Sequence, residues 1–524
     1  MRIWAKRRRG WAVAGLVTAT VAALLPAAGG PAAATTGTAT AAGGTRLPAR
    51  YTEQRLAWQP CAGAPSLECA TMTVPRDWHH PAEGPDLSVS VSRHRAAGPA
   101  GARRGVLMTA AGGPGGQGLS RPASFAEDSP AVAAAYDIVG FNQRGLPQST
   151  PLTCQTPAEF DAFFGADARD RSPAAVRGVV RRARKLARAC QERGGGLAPY
   201  ITTDQTVRDM DLFRALLGAR TVSFYGPSYA TMIGAYYATE FPRRVDRLVL
   251  DSPVGFDGTW QTFEEGQPRS FQRRFEQDFL PWLAARDGTY HYGRTAAAAR
   301  AKWEARRRAL RDRPADLGDG RQVTPNRLDF GTSQALYDAA QGFAPLATAL
   351  AALDHWDTAT AAERGMAGKV FGGYLSPGFL AEFTAVTCND TPWSRDMDAW
   401  VRRTARYTAK YPLLGARSLA FSATCAAWPA SRAPRVHVTG KGLPTTLMLA
   451  SRHDPAAHYE GALRAHRALR GSRLVTVGGG DHGQYRNANP CVDALVDRYL
   501  LTGAAPAGDV SCPQPARPAP ETDQ

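Results

Sequence analysis

The chain has 524 residues, 44% of them hydrophobic and 21% charged, a balance that fits an ordinary globular protein and excludes a disordered one. At this length a single core gives way to two domains, or to one large domain carrying an insertion. The net charge is +17, but five basic residues stand in the first nine positions and the remaining arginines are scattered, so a nucleic-acid partner is not expected.

Arg2, Lys6, Arg7, Arg8 and Arg9 precede an uncharged apolar run that ends near Pro26, and Ala32-Ala33-Ala34 offers a small-residue cleavage site. Residues 1–34 therefore read as a secretory signal peptide, with Arg8-Arg9 also permitting twin-arginine export. The run is short and rich in Ala, Gly and Thr, which disfavours a retained anchor; no stable membrane association is expected after removal, and the protein is expected to be extracellular. Residues 35–60 form a leader or N-terminal segment.

Export places the eight cysteines in an oxidising compartment, where an even count reads as disulfides. In chain order they pair as neighbours: Cys61 with Cys69, Cys154 with Cys190, Cys388 with Cys425, and Cys491 with Cys512. Sequence alone leaves this connectivity open. The chain has no C-x-x-C and no H-E-x-x-H, so neither a metal nor another cofactor is expected.

Residues 67–95 alternate, with Met72 and Val74 and then Leu87, Val89 and Val91 spaced two apart, which predicts an antiparallel strand pair at a sheet edge. Short apolar runs follow at 106–108, 136–141, 222–225 and 248–250. Helical patterns occupy 174–190, where Arg181 to Arg188 reads as a solvated face, and 203–217. Strand and helix in alternation imply an α/β fold with a mainly parallel sheet covered on both faces. The rhythm then stops. Residues 255–443 read as a mostly helical insertion between two parts of the core, 61–254 and 444–512, with helical stretches at 271–286 and 296–313. Strands resume at 446–450 and 474–477, a helix follows at 491–501, and the proline-bearing tail 513–524 reads as disordered.

The strand at 222–225 runs into Gly226-Pro227-Ser228-Tyr229-Ala230, and a helical stretch follows at 231–239. A serine on a tight strand-to-helix turn, flanked by small residues two positions away, is the nucleophile arrangement of α/β-hydrolases. The alternative is a serine that merely caps the helix. A serine nucleophile needs a histidine base oriented by a carboxylate, and in this fold both follow it on loops after strands. Asp454 lies beyond the strand at 446–450 and His482 beyond the strand at 474–477. Asp251 also ends a strand and is a rival acid, Asp481 adjoins the histidine, and His453 and His458 surround the proposed acid. Amide donors for a tetrahedral intermediate are expected from Tyr229, the residue after the nucleophile, and from Gly113 in the loop Ala111-Gly112-Gly113-Pro114-Gly115-Gly116-Gln117-Gly118. That loop lacks the Gly-Lys-Ser/Thr ending of a phosphate-binding loop.

With these stretches, together with 136–145, 202–252, Cys388-Asn389-Asp390, His453-Asp454-Pro455 and the end from His482 to Cys512, the chain resembles the secreted tripeptidyl aminopeptidases, relatives of the proline iminopeptidases. The resemblance implies an α/β-hydrolase fold with the insertion as a helical cap, and a serine aminopeptidase that acts on peptides with free N-termini. An ester or small amide is the alternative substrate. A free N-terminus needs a carboxylate partner, and Glu264, Glu265 and Asp390 in the insertion are the candidates. The chain departs from many relatives at Ala230 for glycine, at Asn142-Gln143 for Asp-Pro and at Ala110-Ala111 for Asn-Pro.

Overall fold

The computed structural model describes residues 47–515 except 319, 374 and 432; the stretch expected to be a signal peptide, most of the expected leader and the tail beyond 515 lie outside the described residues. Ten strands form the central sheet: β1 (Gln59–Cys61), β2 (Ala64–Pro75), β3 (Asp86–His94), β4 (Gly105–Thr109), β5 (Tyr136–Phe141), β6 (Val222–Pro227), β7 (Val245–Asp251), then, beyond a two-stranded ribbon of β8 (Ala315–Asp316) and β9 (Gln322–Val323), β10 (Leu447–Ser451), β11 (Arg473–Val477) and β12 (Val510–Cys512). Their order is β1-β2-β3-β5-β4-β6-β7-β10-β11-β12. β1, β2 and β3 pair antiparallel, as do β3 and β5; the pairs from β5 through β4 to β12 are parallel.

The central strands are apolar runs because both of their faces are buried. Met108, Val139, Phe224, Leu250 and Met448 join the core on one side of the sheet, and their chain neighbours Leu107, Ile138, Tyr225, Val249 and Leu449 the core on the other. Each large apolar side chain so buried contributes about 1.5–3 kcal/mol. The edge hairpin keeps the alternation read from the sequence, with Met72 opposite Val89 and Val74 opposite Leu87. It is not the outermost pair, because the three-residue strand β1 lies outside it. The last part of the leader belongs to the fold: Tyr51 is buried and its hydroxyl donates to Asp86 at 2.5 Å. At the other end Pro513 still accepts from Asn489.

Between β7 and β10 the chain is helical apart from the ribbon, and it holds a core of its own around Phe271, Phe275, Phe279, Trp303 and Phe343. The stretch read as helical over 271–286 belongs to a helix Trp260–Arg274 capped by Thr259, a π-helical segment Phe275–Phe279 and a short helix Leu280–Ala284. The insertion packs over the carboxyl edge of the sheet. Four disulfides pair the eight cysteines as Cys61–Cys69, Cys154–Cys190, Cys388–Cys425 and Cys491–Cys512. The third joins two insertion helices, Pro377–Asp390 and Ser418–Ala426. In helix Pro173–Arg193 the residues Arg181, Arg184, Lys185 and Arg188 face solvent, while Ala183, Leu186 and Ala187 are buried. No helix among the described residues is long and apolar enough to cross a membrane.

Candidate active site

Chain order reverses at β4: β5 lies on one side of it and β6 on the other. In an open parallel sheet the crevice beyond the carboxyl ends of such a strand pair is where ligands bind. β4 ends there in the glycine loop and β6 ends in Ser228. Ser228 has φ +60°, a left-handed conformation that a non-glycine residue adopts only when its surroundings hold it. They do so here: its amide donates to the Asp251 carbonyl at 2.8 Å, and its own carbonyl accepts from the Thr231 amide at 2.9 Å and hydroxyl at 2.6 Å. A Cβ at Gly226 would lie 2.9 Å from the Cβ of Ala230. One glycine therefore makes room for the turn, and Ala230, the first residue of helix Ala230–Glu240, fits in place of a second.

Asp454 and His482 leave the ends of β10 and β11 and meet, and the loop after His482 is tied through the Gln484 and Tyr485 amides to Asp251, whose carbonyl holds the Ser228 amide. The imidazole Nδ1 lies 2.9 and 3.0 Å from the two carboxylate oxygens of Asp454. Asp454 is 1% exposed, and its Oδ1 also accepts from the amides of Ala456 and Ala457, which fix its orientation. Burial lowers the His482 pKa, but the charge and hydrogen bond of Asp454, aided by the charge of Asp251, outweigh it and raise the group above its ordinary value. Among the described residues Ser228 Oγ has no hydrogen bond to His482. Such contacts are commonly long without substrate.

The rivals for these positions are engaged elsewhere. Asp251 is fully buried under the site and accepts from the Gln484 and Tyr485 amides and the Tyr225 hydroxyl at 2.9–3.0 Å. It thus braces the histidine loop against β6 and β7, and Ser252 adds a bond from the Gly483 amide at 2.8 Å. Asp481 pairs with Arg274 of the insertion. His453 faces Asp278, and His458 caps helix Tyr459–Ala468, its Nδ1 accepting from Gly461.

The glycine loop approaches Ser228 as closely as a backbone can. A Cβ at Gly112 would stand 2.9 Å from the Cβ of Ser228. Among the described residues the amides of Gly113 and Tyr229 have no protein acceptor. The Tyr229 side chain is anchored beneath, its hydroxyl 2.9 Å from Thr203 Oγ1 and its ring beside Trp260. A serine on a strained turn, an oriented histidine and free amides are the groups that acyl transfer uses.

Over 486 residues the chain is 36% identical to the tripeptidyl aminopeptidase of Streptomyces coelicolor, a match covering 90% of this chain and 88% of that protein. The chain belongs to the tripeptidyl aminopeptidase family. A family profile described as "TAP-like protein" matches residues 411–512, the stretch that carries Asp454 and His482. The chain is also 28% identical to the serine protease Hip1 of Mycobacterium tuberculosis over 88% of this chain and 91% of that one. To the carboxylesterase B of the same organism it is 31% identical over 85% of this chain and 86% of that one. The protein is an α/β-hydrolase serine peptidase.

In this family member the insertion brings acids to the site unequally. Glu265 pairs with Arg403 and accepts from Gln261. Asp390 is buried and accepts from the Thr203 amide and hydroxyl at 2.8 and 2.5 Å and from Trp260 at 3.3 Å. Burial pushes it up to about 6 against those bonds, and through Thr203 it supports Tyr229. Glu264 differs: its Oε1 is buried without a partner, and burial, opposed by the charge of Arg417, pushes the carboxyl up to about 7.

Sequence reading did not single out Glu382, Phe379 or Tyr337. Glu382 is fully buried with both oxygens unpartnered, and burial holds its pKa well above the usual carboxylate range despite the charge of Arg144. It approaches Gly145, and one turn earlier on its helix Phe379 lies against Gly113 and Gly115. Tyr337 packs edge-on against the His482 ring at 5.0 Å, and its carbonyl accepts the His482 amide at 2.7 Å. Burial pushes its hydroxyl up to about 12, with Arg417 opposing and the charges of Asp454 and Glu264 adding. A buried, unpaired acid leaves no mark in a single sequence.

Proposed function

We propose that this enzyme is a secreted aminopeptidase that cleaves short peptides from free N-termini through a Ser228–His482–Asp454 triad. The observation that carries the reading is the Asp454–His482 hydrogen bond on loops at the carboxyl ends of β10 and β11, with Ser228 on a strained turn at the carboxyl end of β6. In the first half-reaction Ser228 Oγ attacks the scissile carbonyl as His482 Nε2 takes its proton. The amides of Gly113 and Tyr229 hold the oxyanion, and His482 returns the proton to the leaving amine as the C–N bond breaks. Water, deprotonated by His482, then attacks the acyl-enzyme ester, and as the ester C–O bond breaks His482 returns that proton to Ser228 Oγ, freeing the enzyme and the N-terminal product acid.

Selection for a free amine is assigned to Glu264 and Glu382. Burial raises both carboxyls, Glu264 to about 7, and Glu264 Oε1 and both Glu382 oxygens lack protein partners, so an incoming ammonium would favour their ionised forms. Glu265 and Asp390 have their own partners and serve structure in this reading. Four disulfides support work in an oxidising compartment outside the cytoplasm.

An esterase reading has one specific support, the likeness to a protein named carboxylesterase B. A serine-reactive phosphonate tests the shared chemistry: it should label Ser228 in folded enzyme and leave Ser228→Ala unlabelled. Labelling elsewhere, or none, would remove Ser228 from the mechanism. Hydrolysis of a chromogenic acetate with every peptide anilide resistant would favour the esterase.

A further inference from the structure

One ion pair of the insertion reaches both loops that carry the acid and the base. Arg274 closes helix Trp260–Arg274, and Asp278 stands one turn later in the π-helical segment; their side chains meet at 3.0 Å, and the guanidinium is 1% exposed. Its Nη2 pairs with Asp481, the residue before His482. The Asp278 carboxylate lies 3.2 Å from Nδ1 of His453, the residue before Asp454. Thus each member of the pair grips the chain neighbour of one functional residue.

The surrounding contacts close the arrangement. Arg274 Nε donates to the Leu336 carbonyl at 3.2 Å, and the Ala339 amide donates to Asp481 at 2.9 Å. Between those two residues Tyr337 holds the His482 amide and ring. The two loops are also tied to each other, since the His453 amide donates to the Gly479 carbonyl at 2.8 Å. A Cβ at Gly480 would stand 2.5 Å from Arg274 Nη1, so the guanidinium fills the space that a side chain there would need. π-Helical turns inside helices recur at functional sites, and Asp278 stands in such a turn.

We infer that Arg274 and Asp278 are positioning residues: a clamp carried by the insertion that fixes the His482–Asp454 hydrogen bond from outside the sheet. The inference rests on His482 and Asp454 acting as base and acid. A buried pair of this kind is costly to desolvate and is poor as a simple fastener, whereas the planar guanidinium fixes direction as well as distance. Through it, seating of the insertion is coupled to the geometry of the base.

The test uses the whole enzyme with Arg274→Gln, Arg274→Lys and the isosteric Asp278→Asn, assayed on a peptide anilide with kcat and KM separated. The downfield proton NMR signal of the His482 Nδ1–H reports the hydrogen bond directly. Arg274→Gln and Asp278→Asn should lower kcat about tenfold to a hundredfold, with KM changed less than about threefold. The His482 signal should shift or broaden, and Arg274→Lys should regain part of the loss. If Arg274→Gln fails to fold, the charge-free Arg274→Met/Asp278→Leu pair carries the same expectations. Folded variants with the parent kcat and the parent proton signal would overturn the clamp, as would a loss confined to KM. His482→Ala separates the two readings. Activity retained there refutes the triad itself, while an inactive His482→Ala beside fully active clamp variants refutes the clamp alone.

Discussion

His482 Nδ1 sits 2.9 Å from Asp454 Oδ2, and the two residues lie 28 positions apart on loops after adjacent parallel strands. Asp454 raises the imidazole pKa above its ordinary value of 6.5 on balance against burial, and only the neutral imidazole acts as base. kcat/KM should therefore fall as pH drops, with its acidic limb above 6.5. Asp454→Asn should lower kcat on the order of 10⁴-fold and move that limb to lower pH. A pH–rate profile of both proteins checks it; a limb that stays in place would detach Asp454 from the base.

The left-handed backbone of Ser228 predicts a trade of stability for function. Ser228→Gly and Ser228→Ala should both be inactive, but the glycine variant should be more stable than the alanine variant by about 1 kcal/mol, because only glycine adopts φ +60° without strain. Denaturant unfolding of the two variants measures the difference.

Gly112→Ala would place a methyl carbon 2.9 Å from the Cβ of Ser228. Either the glycine loop or the nucleophile must move, and a displacement near 1 Å costs about a hundredfold in rate. Burst kinetics with an active-site titrant should show slow acylation while the protein remains folded.

Strand ends carried most of what the sequence revealed about the site. Ser228, Asp454 and His482 follow buried strands, whose apolar runs stand out, and the glycine loop follows a fourth. The strands Gln59–Cys61 and Val510–Cys512 have three residues each, too few to show a period. Gly266 and Pro268 interrupt helix Trp260–Arg274 and hide where it begins. Partners far apart in the chain left no trace: Arg403 for Glu265, Thr203 for Asp390, Arg274 for Asp481. Three acids of one insertion thus looked equivalent until their neighbours distinguished Glu264.

Glu264 carries a pH signature. Glutamate in the unfolded chain titrates near 4.5, and in the folded enzyme burial raises it to about 7. The folded state binds that proton more tightly, so the associated stability is complete below pH 4.5 and is lost as pH rises through about 7. Glu264→Gln should flatten this slope and, above pH 7.5, be more stable than the parent by about 1–3 kcal/mol. Its KM for peptides with free amines should rise. Unfolding curves from pH 4 to 8 and paired kinetics test both.

A triad built on Ser228 should act on peptides whose amine is free. The most direct measurement compares kcat/KM for one peptide anilide with its N-terminus free and acetylated, with product masses recorded and Ser228→Ala as control. The free peptide should be cleaved at least about a hundredfold faster than the blocked one, and Ser228→Ala should cleave neither. Equal turnover of the two substrates, or activity surviving in Ser228→Ala, would contradict it.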